Sequence, residues 1–308
     1  MPTTFHCHQF ADARALLKLK NEPITVCIPT LNEAETIGPI VETLRRELML
    51  DVPLVDELLV IDSGSTDATR DLAASAGATV HLASDIAPEH GHHRGKGENL
   101  WKSLHASTGR IVCFIDGDIA DFHSGFVTGL IGPLLHHPEI DYVKAFYERP
   151  LLQDDGTHTS GGGRVSEILI RPLLSLFYPE LSAIYQPLSG EYAARRTLLE
   201  TLPFPVGYGV EIAHLIDLHH TGRLPHLAQT DLVRRVHRNR HDAELGQMAF
   251  SLLQVIFRRL ERDRKLSLAT SLPTLFQAWA FENEIPTRIR KNLPEPERPP
   301  LIALPIPS

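Results

Sequence analysis

The chain has 308 residues, 43% hydrophobic and 22% charged, enough for one large domain or a core domain with an appendage. A net charge of −8 argues against a dedicated nucleic-acid binder, which carries a basic excess. Three cysteines, Cys7, Cys27 and Cys113, are too scattered for a disulfide framework and fit small apolar residues in a reducing cytoplasm. The first ten residues lack a signal peptide's basic start and apolar stretch. No run approaches the roughly 18–20 apolar residues that cross a bilayer.

Thr25 to Ile28 is a short apolar strand ended by Pro29. Ala34 to Leu48 follows with helical spacing, placing Ile37, Ile40, Val41, Leu44 and Leu48 on one face. Asn32 is a candidate cap for it. Glu57 to Ile61 reads as a second strand, followed by a turn-rich stretch and a helix to about Ala76. Thr79 to Leu82 is a third strand, Lys96 to Ala106 a helix, Ile111 to Ile115 a fourth strand and Asp141 to Tyr147 a fifth. Strands alternating with helices imply right-handed crossovers and a mainly parallel sheet. Ligands on such a sheet sit beyond the carboxyl ends of its strands.

The second half is less regular. Leu152 to Gly163 is polar and glycine-rich, Arg164 to Phe177 is helical, and Ile212 to His220 is a further helix. Ala243 to Leu266 is a long helix with an apolar face. From Leu293 onward six prolines fall in sixteen residues, which argues against helix and sheet and for an extended arm.

The chemistry-bearing motifs follow the strands. Asp116-Gly117-Asp118 ends the fourth. Alternate residues of an extended segment point the same way, so both carboxylates can face one hard cation whose remaining positions go to water and phosphates. The competing reading is a plain turn. Pro29-Thr30-Leu31-Asn32-Glu33 ends the first strand and offers Glu33 to a ribose or base. Asp62-Ser63-Gly64-Ser65-Thr66-Asp67 ends the second, with Asp62 as a second acceptor and small residues that allow close approach. Lys96, at the start of a helix, suits a phosphate. The nearby His92-His93 pair has no partner spacing for zinc. Gly161-Gly162-Gly163-Arg164-Val165-Ser166 opens another helix as an anion cradle. Glu211 sits where a loop enters a helix. Arg235-Val236-His237-Arg238-Asn239-Arg240-His241 places His237 among cations, which keeps its imidazole neutral and able to bind metal, and its arginines, Arg240 included, can hold phosphate.

In this order the first-half motifs resemble the nucleotide-sugar half of a GT-A glycosyltransferase. Gly163-Arg164-Val165-Ser166, Pro187-Leu188-Ser189-Gly190-Glu191, Tyr208-Gly209-Val210-Glu211 and His237-Arg238-Asn239-Arg240 resemble the glucosyl-3-phosphoglycerate synthases and their mannosyl-transferring relatives, over roughly residues 20 to 265. Ser166 stands where that family usually has Thr. The resemblance implies an α/β GT-A fold with a nucleotide-sugar-binding half (1–150), an acceptor-binding half (151–268) and a C-terminal helix with a proline-rich tail (269–308). It implies Pro29, Leu31, Glu33 and Ser63 around the nucleoside, Lys96 at the diphosphate, and Asp118 and His237 on Mg²⁺ or Mn²⁺, with Asp116 beside the ribose or the metal. It implies Gly163, Arg164, Val165, Ser166 and Asn239 around 3-phosphoglycerate, and Glu211 near the sugar or acceptor hydroxyls. Glu211, Asp116 and Lys96 are then the catalytic candidates of a retaining transferase, UDP-glucose the favoured donor, and the cytoplasmic protein a homodimer. GDP-mannose as donor, an inverting transferase on another acceptor and a non-catalytic sugar-nucleotide sensor are the alternatives.

Overall fold

The structure, a computed structural model, describes residues 2–152, 158–160, 163–235, 242–282 and 285–305. In chain order the strands are β1 (Thr3–His6), β2 (Ile24–Thr30), β3 (Glu57–Asp62), β4 (Thr79–Leu82), β5 (Ile111–Phe114), β6 (Tyr142–Glu148), β7 (Pro150–Leu152), β8 (His158–Ser160), β9 (Tyr192–Arg195), β10 (Phe204–Pro205), β11 (Leu227–Arg234), β12 (Leu275–Glu282), β13 (Ile285–Asn292) and β14 (Glu297–Arg298). The α-helices are α1 (Ala13–Leu19), α2 (Ile37–Arg45), α3 (Thr69–Ala76), α4 (Lys96–Ala106), α5 (Gly125–His136), α6 (Arg171–Phe177), α7 (Arg196–Leu199), α8 (Val210–His220) and α9 (Asp242–Arg262).

Eight strands form the main sheet in the order β1-β11-β6-β9-β5-β2-β3-β4. All neighbouring pairs are parallel except those of β9, which runs antiparallel to both β5 and β6. All seven residues of β2 are buried, as expected of a strand covered on both faces. One face carries the cluster around Ile28, Ile40, Val60, Phe126 and Leu130. The other carries Trp101, Phe114, Tyr192, Ile212 and Val255. The three cysteines are free and buried, and among the described residues no helix is long and apolar enough to cross a membrane.

Several local expectations are revised. The helix after β2 starts at Ile37 rather than Ala34, and its end unwinds into a π-turn at Arg46–Leu50. Asn32 does not cap it. Its backbone is left-handed (φ 58°), and its side-chain oxygen accepts from the Thr66 amide at 2.9 Å, lacing the β2 loop to the β3 loop. α5 has no sequence counterpart because it is apolar all round, and a helix without a polar face gives no periodic signal. Among the described residues of 269–308 there is no α-helix: β12 and β13 make an antiparallel hairpin there. The proline-rich tail also joins a sheet, since β14 pairs with β10. Proline forbids an amide donor, but the two paired tail residues, Glu297 and Arg298, are not prolines.

Candidate active site

The carboxyl ends of β2, β3, β5, β6 and β11 all open on one edge of the sheet. β9 runs the other way, so its start, Gly190-Glu191, joins them there. These ends surround a cavity of about 870 Å³ lined by, among others, Pro29, Glu33, Ser63, Lys96, Asp116 and Arg235.

At its floor is a chain of ion pairs. Lys96 Nζ lies 2.5 Å from Asp116 Oδ1 and 2.9 Å from Glu211 Oε1. Arg235 Nη2 lies 3.2 Å from Asp116 Oδ2 and 2.5 Å from Asp118 Oδ1, so the two acids converge on a single cationic atom. Behind it, Arg235 Nε is 3.3 Å from the fully buried Glu191. The Tyr147 hydroxyl donates to Glu191 Oε2 at 2.5 Å and accepts from Arg149 at 2.9 Å and Arg235 at 3.2 Å. A side chain at position 190 would collide with the Asp116 carboxyl and the Lys96 ammonium, which is why glycine stands there.

The charges reinforce one another. Burial alone would neutralise Lys96, but Asp116, Glu211 and Glu191 outweigh it and hold the ammonium more firmly than usual. Burial likewise works against the Asp116 carboxylate, yet Lys96 and Arg235 hold it well below the usual carboxylate range. Glu191 goes the other way: burial, only partly offset by Arg235, raises it. Burial also depresses Lys144 to about 8, despite Glu211. Its ammonium donates to the Ser189 carbonyl at 2.8 Å.

Residues 25–197 match the family model Glycosyl transferase family 2. The chain is 50% identical to the glucosyl-3-phosphoglycerate synthase of Petrotoga mobilis, over 98% of this chain and 94% of that one. The chain belongs to the glucosyl-3-phosphoglycerate synthase family. A crystal structure of the Mycobacterium tuberculosis glucosyl-3-phosphoglycerate synthase with Mn²⁺, UDP-glucose and phosphoglyceric acid matches with TM-score 0.81 at 38% identity, covering 98% of each chain. The mannosyl-3-phosphoglycerate synthase of Rubrobacter xylanophilus matches with TM-score 0.88 at 32% identity, covering 97% of this chain and 96% of that one. The fold is thus GT-A, as the motifs implied.

Against this family background, the predicted site residues fall as follows. Pro29, Leu31, Glu33, Ser63, Lys96, Asp116, Asp118, Gly163, Arg164, Val165, Ser166 and Glu211 all line the one cavity. His237, Asn239 and Arg240 lie outside the described residues. Arg235 and Glu244, on either side of them in the chain, both border the cavity. Ser63 is held by Asn99, whose side-chain oxygen accepts from it at 2.9 Å.

Two expectations fail. Asp62 is no ligand acceptor: fully buried, it accepts from the Gly64 and Ser65 amides at 2.9 and 2.7 Å and from the Thr30 hydroxyl at 3.0 Å. It shapes the loop instead. Nor do the first-turn amides of α4 cradle a phosphate, since Gly97 and Glu98 donate to the carbonyls of Gly207 and Val206 at 3.2 and 3.0 Å. The Lys96 side chain, not those amides, reaches the cavity there.

Sequence reasoning passed over the roles of Glu191, Tyr147, Arg149 and Lys144, and it offered Arg235 to phosphate, whereas Arg235 pairs with Asp116, Asp118 and Glu191. Lys144 carried a signal, because a lysine inside an apolar strand needs a buried partner.

Proposed function

We propose that this protein transfers glucose from UDP-glucose to 3-phosphoglycerate, giving glucosyl-3-phosphoglycerate with the α configuration retained. The observation that carries the reading is the convergence of Lys96, Asp116, Glu211 and Arg235 on one cavity, in a chain 50% identical to a synthase of that name.

Pro29, Leu31, Glu33 and Ser63 hold the nucleoside. Gly163, Arg164, Val165, Ser166, Asn239 and Arg240 receive the phosphate and carboxylate of the acceptor. Two carboxylate oxygens gathered on one positive centre, 3.2 and 2.5 Å away, form the hard-oxygen donor set that suits Mg²⁺ or Mn²⁺. Asp118 and His237 would hold that ion with Asp116 beside it, and it would supply charge stabilisation at the diphosphate.

The remaining work falls to side chains. Lys96 offsets charge that grows on the leaving diphosphate, and Asp116 and Glu211 hold its ammonium in place. Glu211 accepts hydrogen bonds from sugar or acceptor hydroxyls. Both acids are committed to Lys96, and a carboxylate so paired is a weak nucleophile. This favours attack on the same face of the sugar, the departing phosphate oxygen taking the acceptor's proton, over a covalent glycosyl-enzyme.

Incubation of purified protein with UDP-glucose, 3-phosphoglycerate and Mn²⁺, followed by product NMR, should give an α-linked phosphorylated glucosylglycerate. A β-linked product or none refutes the reading. A parallel incubation with GDP-mannose tests the donor: the 50% identity to a glucosyl enzyme, against 32% to a mannosyl one, favours UDP-glucose. The free thiols fit a cytoplasmic protein. A homodimer, expected from the family resemblance, is measurable by light scattering.

A further inference from the structure

We infer that the C-terminal tail, Glu295 to Arg298, is a positioning element for the transfer reaction, holding the two backbone segments that bring Lys96 and Glu211 together. This rests on the function proposed above.

Lys96 and Glu211 belong to different parts of the chain. Lys96 is the first residue of α4, and Glu211 is the second residue of α8, which is reached from β10 through residues 206–209. Their 2.9 Å contact therefore depends on how the start of α4 sits against 204–209. Direct bonds join the two segments, through the Gly97 and Glu98 amides and the carbonyls of Gly207 and Val206. A Cβ at Gly97 would run into the Pro205 carbonyl, so the contact is as close as backbones allow.

The tail fastens both sides of this junction. On the α8 side, β14 pairs with β10, Phe204 opposite Arg298 and Pro205 opposite Glu297. The Val206 amide donates to the Pro296 carbonyl at 3.0 Å, and the Gly207 amide to Glu295 Oε1 at 2.6 Å. On the α4 side, Arg298 grips Glu98 through two bonds, Nε and Nη2, both 2.7 Å. The same guanidinium donates to the carbonyls of His90 and Gly91 at 2.6 and 3.1 Å and lies 4.9 Å from the Trp101 ring centre. Trp101 Nε1 donates to the Pro299 carbonyl at 2.9 Å.

The tail is anchored in turn. Glu297 accepts from Arg259 of α9 at 2.6 Å, and Arg259 is paired with Asp217 of α8 at 2.7 Å. Neither Glu295 nor Arg298 lines the cavity, so they act through Lys96 and Glu211 and not on substrate. A bidentate fork cannot be reproduced by a point charge, which singles out Arg298→Lys as the informative change.

Arg298→Lys keeps the charge opposite Glu98 but loses the fork and the Nη1 and Nη2 contacts with the His90 and Gly91 carbonyls. In the full-length protein with UDP-glucose, 3-phosphoglycerate and Mn²⁺, kcat should fall by about 10–100-fold, the cost of a misplaced catalytic group. The Kd for UDP should move less than about threefold, because the nucleoside pocket lies on β2 and β3. Combined with Lys96→Arg, Arg298→Lys should add little further loss, since both act at one point. Glu295→Gln, which weakens the grip on Gly207, is the second variant should Arg298→Lys not fold, and it should lower kcat with UDP binding intact. Full kcat in both variants, or losses that multiply with Lys96→Arg, overturns the positioning role. A wild-type protein that forms no glucosylated phosphoglycerate overturns the functional reading instead.

Discussion

Replacing Lys96 by Met tests the centre of the site. Its ammonium lies 2.5 Å from Asp116 and 2.9 Å from Glu211, and all three side chains are less than one-fifth exposed. At those separations, and with an effective dielectric of about 20, each attraction is on the order of 6 kcal/mol before desolvation is subtracted. Methionine fills the volume but leaves two acids facing one another. Breaking a buried ion pair from one side costs about 3–5 kcal/mol, and the contact of Asp116 with Arg235 recovers part of it. Stability should therefore drop by a few kcal/mol in urea titration. The catalytic loss should be larger than that of substrate binding, on the order of 10²–10³ in kcat, as when one charge-stabilising donor is removed, with KM for UDP-glucose changed by less than tenfold. Initial rates of UDP release give both numbers. The acid limb of the pH–rate profile should also move upward, because the ammonium that holds the Asp116 carboxyl down is gone. A Lys96→Met enzyme with kcat within threefold of wild type would refute the assignment of Lys96 to the leaving group.

Three more outcomes are expected. Arg235→Met paired with Glu191→Gln, which strands no buried carboxylate, removes the guanidinium that sits between Asp116 and Asp118. Mn²⁺ should then bind the donor-free protein about 10–100-fold more tightly, the equivalent of a charged hydrogen bond of roughly 1.5–3 kcal/mol, and calorimetric titration reads it. Asp62→Ala removes the acceptor for two amides and two hydroxyls. It should cost about 2–4 kcal/mol in chemical denaturation and raise KM for UDP-glucose. His214 is fully buried, and burial, with Arg259 and Lys144 and against the Pro203 backbone, depresses it from 6.5 to about 3. The unfolded chain binds a proton there that the folded one refuses, so stability should fall as pH drops from 6.5 toward 3. The slope is at most about 1.4 kcal/mol per pH unit. His214→Phe should flatten this loss in acid melting curves.

The elements that could be read from residues alone are those with one clear period. Lys96–Ala106 and Thr79–Leu82 end where the pattern ends. α5 could not be read this way, with Gly129 and Gly132 packed on Cys7 and Phe10 and Pro133 inside the helix. β9 reads Tyr-Ala-Ala-Arg, and alanine is a poor strand former, so it carries no strand signal. The tail was misjudged because its prolines outweigh the two residues that pair. The site divides along the same line. Residues that follow strands, such as Asp116 and Glu33, can be placed at the carboxyl edge from sequence. Arg235, Glu191 and Tyr147 meet only because β9 lies between β5 and β6 and β11 lies beyond, and strand order leaves no mark on local sequence.

That strand order bears on how the protein handles two substrates. β9 and β11, from the expected acceptor half, are built into the same slab as β2 and β5, from the donor half, with β9 locked on both sides by backbone bonds. Cutting the chain at residue 150 would remove an interior plank rather than a lobe, and the first 150 residues alone should not fold. Among the described residues, one sheet runs unbroken through both halves. Donor and acceptor meet on a seamless platform, and whatever rearranges during turnover must ride on its upper edge.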